Sequence, residues 1–178
     1  MCWFIEVVGT ISDSITAVMA VAALIAAIFA WRLSKRTFRY QIVNELFKEY
    51  RSQEMGSSIR RLHEYFRECG SNQDALVEKY KEDYKNEKQG DESIHNHRRA
   101  VSNFYQQVSI LAGKDRYIRK TAYEIWKKGD LEIIETIIIP IEVRAMRAIL
   151  GREPILEEVK YPMYLKRLLR FYRRAPEE

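Results

Sequence analysis

The sequence predicts an all-α protein in which one N-terminal transmembrane helix continues into a stalk and is followed by a cytoplasmic α-helical bundle. Three observations predict it. Residues 14–31 run for 18 positions without a charge. Apolar residues beyond that run recur at three- and four-residue spacing, the period of an amphipathic helix. The one β-branched stretch, residues 131–150, finds no second stretch that could serve as its partner strand.

Charge divides the chain at Trp31. Only Glu6 and Asp13 are charged before it, whereas all 30 Lys and Arg and 23 of the 25 acids follow, a net +7. The remainder after Trp31 is long enough to bury a core. As a helix the run SITAVMAVAALIAAIFAW would be about 27 Å long, close to the roughly 30 Å hydrocarbon core of a bilayer. Trp31 would anchor the inner interface and Trp3 the outer one, while Asp13 limits the span on the outer side. Arg32, Lys35, Arg36 and Arg39 follow at once. The positive-inside rule therefore places the N-terminus outside a plasma or inner membrane and the rest in the cytoplasm. A cleaved signal peptide would carry its cations before the apolar run, and a surface-lying helix would need a polar face. The stronger rival is a buried helix of a soluble protein, since seven of the 18 residues are alanine. Ala22, Ala26 and Ala30, with Ala23 and Ala27, have the small-residue spacing that lets two membrane helices approach closely.

The expected organisation is a short outer segment (1–13), the span (14–31), a basic stalk (32–55) and a helical domain (56–178). Neither Gly nor Pro falls between Gly9 and Gly56, so the first helix is expected to reach about Met55, with Phe38, Ile42, Val43, Leu46, Phe47 and Tyr50 in one stripe. Ser57 or Ser58 is expected to cap a helix carrying Ile59, Leu62, Tyr65 and Phe66, and Ser71 or Asn72 the charged helix after it, with Leu76, Tyr80 and Tyr84 as its apolar line. Residues 85–96 are the most polar and read as a mobile loop. Val101, Phe104, Tyr105, Val108, Leu111 and Ala112 make the clearest core face. Ile118, Ala122, Ile125 and Trp126 repeat the pattern. Asp130 then caps a helix that is apolar nearly all round, hence central, and kinked or restarted at Pro140. The last segment, 161–174, is basic and amphipathic.

The chemical signatures fail in turn. Gly113-Lys114 superficially resembles a phosphate-binding loop, but Val108 stands where Gly is needed, Asp115 where Ser or Thr is needed, and a helix precedes it instead of a strand. His95 and His97 lie two apart, which separates them on a helix, and neither Cys2 nor Cys69 is placed to complete a metal site. Cys69 reads as a plain buried thiol, no disulfide is expected, and Cys2 lacks a lipoprotein-type signal. Glu78, Glu82, Asp83 and Glu87 alternate with Lys79, Lys81, Lys85 and Lys88, the pattern of a solvated face. Glu132, Glu135 and Glu142 are more unusual, being on an apolar helix; Arg98, Arg99, Arg144 and Arg147 are their expected partners in a semi-buried ion network. No catalytic, cofactor or metal residue is assigned. The best partner-binding signal is Lys160, Lys166, Arg167, Arg170, Arg173 and Arg174, set around Leu165, Leu168, Leu169 and Tyr172. That helix can pack on its own bundle, lie on anionic lipid, or meet an acidic partner. Nucleic acid is the least favoured partner, as no nucleic-acid-binding fold is recognised.

The helix RRAVSNFYQQVSILA, the following IRKTAYEIW and the later IIETIIIPIEVRAM, together with the N-terminal span and its basic flank, resemble a family of uncharacterised single-pass prokaryotic membrane proteins with a helical cytoplasmic domain. The resemblance implies the architecture and no activity. The expected role is a membrane-tethered adaptor or regulatory subunit, with the bilayer and a protein partner, or a second copy through the span or stalk, as its contacts. Enzymatic action through an unrecognised site and sensing of an anionic membrane surface are the alternatives.

Overall fold

The computed structural model describes residues 2–86 and 93–177, apart from the side chains of 2–15 and 17. Among these residues all regular structure is helical and no strand occurs, as the periodicity predicts. The chain forms two compact units, Met1–Ile42 and Val43–Glu178.

The first unit is the greater part of helix α1 (Cys2–Tyr50). Its segment Val18–Tyr50 contains a stretch long and apolar enough to cross a membrane, none of it buried. Val18, Leu24, Phe29 and Leu33 each leave 62–68% of their surface free. A core helix of a soluble bundle would be covered, so the rival reading of this run finds no support in the packing.

The second unit begins with the last two turns of α1, where Leu46 is buried and Tyr50 stacks on Phe104 and meets Trp126 edge-on. The expected extension to about Met55 stops at Tyr50. Ser52 causes the break: its Oγ accepts from the Met55 N–H at 3.1 Å and starts α2 (Gln53–Glu68), which then runs straight through Gly56. The caps expected at Ser57 or Ser58 therefore fall inside a helix, and Ser57 bonds back to the Glu54 carbonyl. Gly70 is where a glycine is needed, its φ of +63° closing α2 in the left-handed region.

Asn72 starts α3 (Gln73–Asn86), accepting from the N–H groups of Asp74 and Ala75. Leu76, Val77 and Tyr80 are its buried residues. Half of the segment read as a mobile loop, 87–92, lies outside the described residues, Glu87 and Lys88 included. Ser93 caps α4 (Ile94–Lys114), so His95 and Asn96 belong to a helix and not to a loop. Val101, Phe104, Tyr105, Val108 and Ala112 form its buried face, as expected. α4 packs against α2, against α5 (Arg116–Ile125) and against α8 (Met163–Arg173), which makes it the central helix.

The apolar segment is a single helical path from α6 (Lys128–Ile133) to α7 (Met146–Ile149), joined by two wider π turns, Ile134–Ile138 and Ile141–Ala145. Asp130 is in its first turn instead of capping it, accepting from the Lys127 N–H at 2.9 Å. Pro140 neither ends nor restarts the path. Proline has no N–H and clashes with an ordinary α-helical ladder. Here the register widens beforehand, Ile139 N–H bonding the Ile134 carbonyl five residues back. The Glu135 carbonyl, next in that register, receives the Gln73 side chain at 3.4 Å. Leu131, Ile134, Ile137, Ile138 and Ile141 are wholly buried, which explains a helix apolar on nearly every side.

Candidate functional site

A polar network lies inside the Val43–Glu178 unit. Arg98 of α4 is buried and ion-paired to Glu142 of the second π turn, and the Tyr164 hydroxyl of α8 donates to the other Glu142 oxygen at 3.5 Å. His95 Nδ1 lies 2.9 Å from the Tyr80 hydroxyl, and one helical turn separates His95 from Arg98. Burial pushes Tyr80 up to about 12, outweighing the nearby Arg98. Burial also lowers the His95 pKa, and Arg98 and Arg99 lower it further. These effects favour the neutral imidazole, which can exchange a hydrogen bond with the Tyr80 hydroxyl. His97 points elsewhere, with Nδ1 3.0 Å from the Ser58 hydroxyl. The pair separates on the helix, as its spacing predicts.

Of the expected ion network, Arg98–Glu142 forms. Arg144 pairs instead with Asp74 at 2.6 Å, Arg147 donates to the Glu153 carbonyl, and Glu135 lies 4.0 Å from Arg173. Glu132 is exposed. Glu135 and Arg144 line an open cleft of about 340 Å³ beside Pro140, while Glu142 faces a different one beside Arg99 and Asn103. The three glutamates therefore do not share a site. On α3 the charges are shared with α2 rather than kept within the helix: Lys79 reaches Glu68 at 2.6 Å, and Asp83 accepts from the Tyr65 hydroxyl at 2.7 Å, alongside a local Lys81–Glu78 pair.

The basic C-terminal residues divide into two groups. α8 buries Leu165, Leu168, Leu169, Phe171 and Tyr172 against α4, α6 and the first π turn. Its apolar side is thereby taken up by the bundle, leaving its cations outside. Lys160 pairs with Glu157 at 3.0 Å, Arg173 with Glu158 at 2.8 Å, and Lys166 donates to the Val159 carbonyl. Arg167, Arg170 and Arg174 lie on another side, lining a cleft of about 230 Å³ with Lys114 at the end of α4 and Arg119 of α5. Its inner wall is Tyr123 stacked on Phe171, with ring centroids 5.1 Å apart and planes at 19°. The Tyr123 hydroxyl donates to the Phe171 carbonyl at 3.0 Å, and burial raises its pKa despite Arg174 and Arg119.

No family model, curated protein or solved structure matches this chain.

Of the residues expected to flank the membrane, Trp31, Arg32, Lys35 and Arg36 are exposed on α1 and Arg39 is half-buried. The Lys35 ammonium lies 5.3 Å from the Trp31 ring centroid, and Arg36 stacks on and bonds Tyr40. Among the described residues no three His, Cys, Asp or Glu side chains converge as metal ligands would. Cys69 is buried and free, its thiol pKa raised by burial, which makes it a poor nucleophile. Sequence reasoning missed Lys114 and Arg119 as neighbours of the α8 arginines. Gly113-Lys114 resembles part of a phosphate-binding loop in sequence, but the two residues end a helix beside other cations.

Proposed function

We propose that the protein is a membrane-anchored helical adaptor or regulatory subunit, with its N-terminus outside the cell membrane and its bundle in the cytoplasm, acting through contacts with other proteins. The observation that carries this reading is the uncovered apolar surface of α1, where Val18, Leu24, Ile25, Phe29 and Trp31 are exposed in succession. Side chains of that size in water would be costly, at about 25 cal/mol for each Å². A bilayer removes the cost. Orientation rests on the one-sided flank of Arg32, Lys35, Arg36 and Arg39.

A second apolar surface supports protein contact. The connection between α7 and α8, with the first residue of α8, leaves Leu150, Leu156, Val159 and Met163 with 59%, 79%, 82% and 65% of their surface free. Single exposed apolar residues need no explanation; the occurrence of four within fourteen positions is what supports a partner-facing segment here. The test is cross-linking in intact cells, then capture of the full chain from a detergent extract. The wild type should bring down a partner, another protein or a second copy, and Leu156→Ser/Val159→Ser should lower its yield by about ten-fold. Repeated recovery of the chain alone, or an unchanged yield from the double variant, would overturn the reading.

A further inference from the structure

The cleft between α4, α5 and α8 is lined by five cations, Lys114, Arg119, Arg167, Arg170 and Arg174, and by no acid. Among the described residues none of the five has a carboxylate partner, although neighbouring cations on α8 and just before it are paired or bonded locally. The bundle thus neutralises one side of the C-terminal helix and leaves the other bare. Crowded like charges repel, so an ordinary solvated surface would scatter or pair them. The carbonyl end of α4 cannot be what they balance. A helix terminus carries only about half an elementary charge, against five full ones.

We infer that this cleft binds a phosphate-bearing anion, whether a soluble phosphoester or the phosphate of a lipid headgroup. A phosphate offers close to two negative charges and three acceptor oxygens in one compact group. Four of the five cations are arginines, whose planar fork matches phosphate oxygens two at a time. The volume of about 230 Å³ lies below the ~300–1,000 Å³ of pockets that enclose a drug-sized molecule. It accommodates the phosphorylated end of a ligand while the rest stays outside. The Tyr123–Phe171 stack supplies a fixed inner wall, since the tyrosine hydroxyl is already committed to a main-chain carbonyl. This site does not depend on the adaptor reading, and its cations come from segments about fifty residues apart in the chain.

The experiment is calorimetric titration of the full chain in uncharged detergent, with inorganic triphosphate, dihexanoyl phosphatidic acid, dihexanoyl phosphatidylcholine and pentaglutamate as probes. The first two should bind and weaken with added salt. Similar affinities would indicate recognition of phosphate alone, and a preference for phosphatidic acid would assign the source to lipid. Arg167→Gln/Arg170→Gln/Arg174→Gln should lose at least about ten-fold in affinity, while Lys160→Gln/Lys166→Gln/Arg173→Gln, which removes the same charge from the same region, should lose less than about three-fold. Lys114→Gln/Arg119→Gln, on the opposite wall and off α8, should also lose affinity and guards against a folding defect in the first variant. Equal losses in the two triple variants, binding of pentaglutamate as tight as that of triphosphate, or no probe binding below about 1 mM would overturn the inference.

Discussion

Arg98 keeps a full charge inside the bundle with 6% of its surface exposed, and its Nε has no hydrogen-bond partner among the described residues. Its compensation comes from Glu142, 44 positions away in sequence, whose other oxygen accepts from Tyr164. Such a pair is dear to break and cheap to replace, because removing one partner strands a buried charge. Glu142→Gln should cost about 3–5 kcal/mol of stability, whereas Arg98→Met/Glu142→Leu should be about neutral. Urea unfolding of the full chain in detergent, followed by circular dichroism, measures both; a single variant as stable as the double would refute the assignment. At this scale the sequence was half legible. Charged residues on an apolar helix flagged the glutamates, because burial of a charge always demands a partner. The choice of Asp74 for Arg144 was not legible, since Asp74 looks like any first-turn acid until α3 is placed against the second π turn.

At the scale of elements, glycine and proline proved poor guides to where helices start. The chain breaks at Arg51–Ser52 without either residue, and runs helically through Gly56, Gly113, Gly129 and Pro140. Only Gly70 and Gly151 among the described glycines take positive φ. The cap at Asn72 was readable because a short polar side chain ahead of an apolar period has one evident use, to bond free N–H groups; the same signal at Asp115 went unread. The wide π turns were not readable, since they answer a tertiary problem: how to carry Pro140 through a buried helix while Gln73 serves the displaced carbonyl. Asp115 Oδ1 accepts from Tyr117 N–H at 2.8 Å and Ile118 N–H at 3.4 Å. Asp115→Ala should therefore cost about 0.5–2 kcal/mol. Gly56→Ala, inside α2 with open space around the added carbon, should instead stabilise by about 0.5–1 kcal/mol. The same urea titration reads both, and shifts of the same sign would contradict this account of where helices start.

For the whole molecule, helical periodicity made the fold class legible because a bundle has to repeat its apolar faces every three or four residues. The basic cleft was hidden for the converse reason. Its cations come from 114–119 and 167–174, and no local spacing reveals that two such segments meet. What the sequence marks most clearly is the contrast between the two units, one bare and apolar, the other with a covered core. The proposed anchoring in a bilayer accounts for that contrast. The direct test is alkaline carbonate extraction of membranes from cells making the full chain, beside Leu24→Lys/Ile28→Lys. Each lysine near the bilayer centre costs about 2.5–3.5 kcal/mol. The wild type should stay in the pellet and the double variant should move to the supernatant. A wild-type chain that washes free, or a double variant retained as firmly as the wild type, would contradict the membrane anchor.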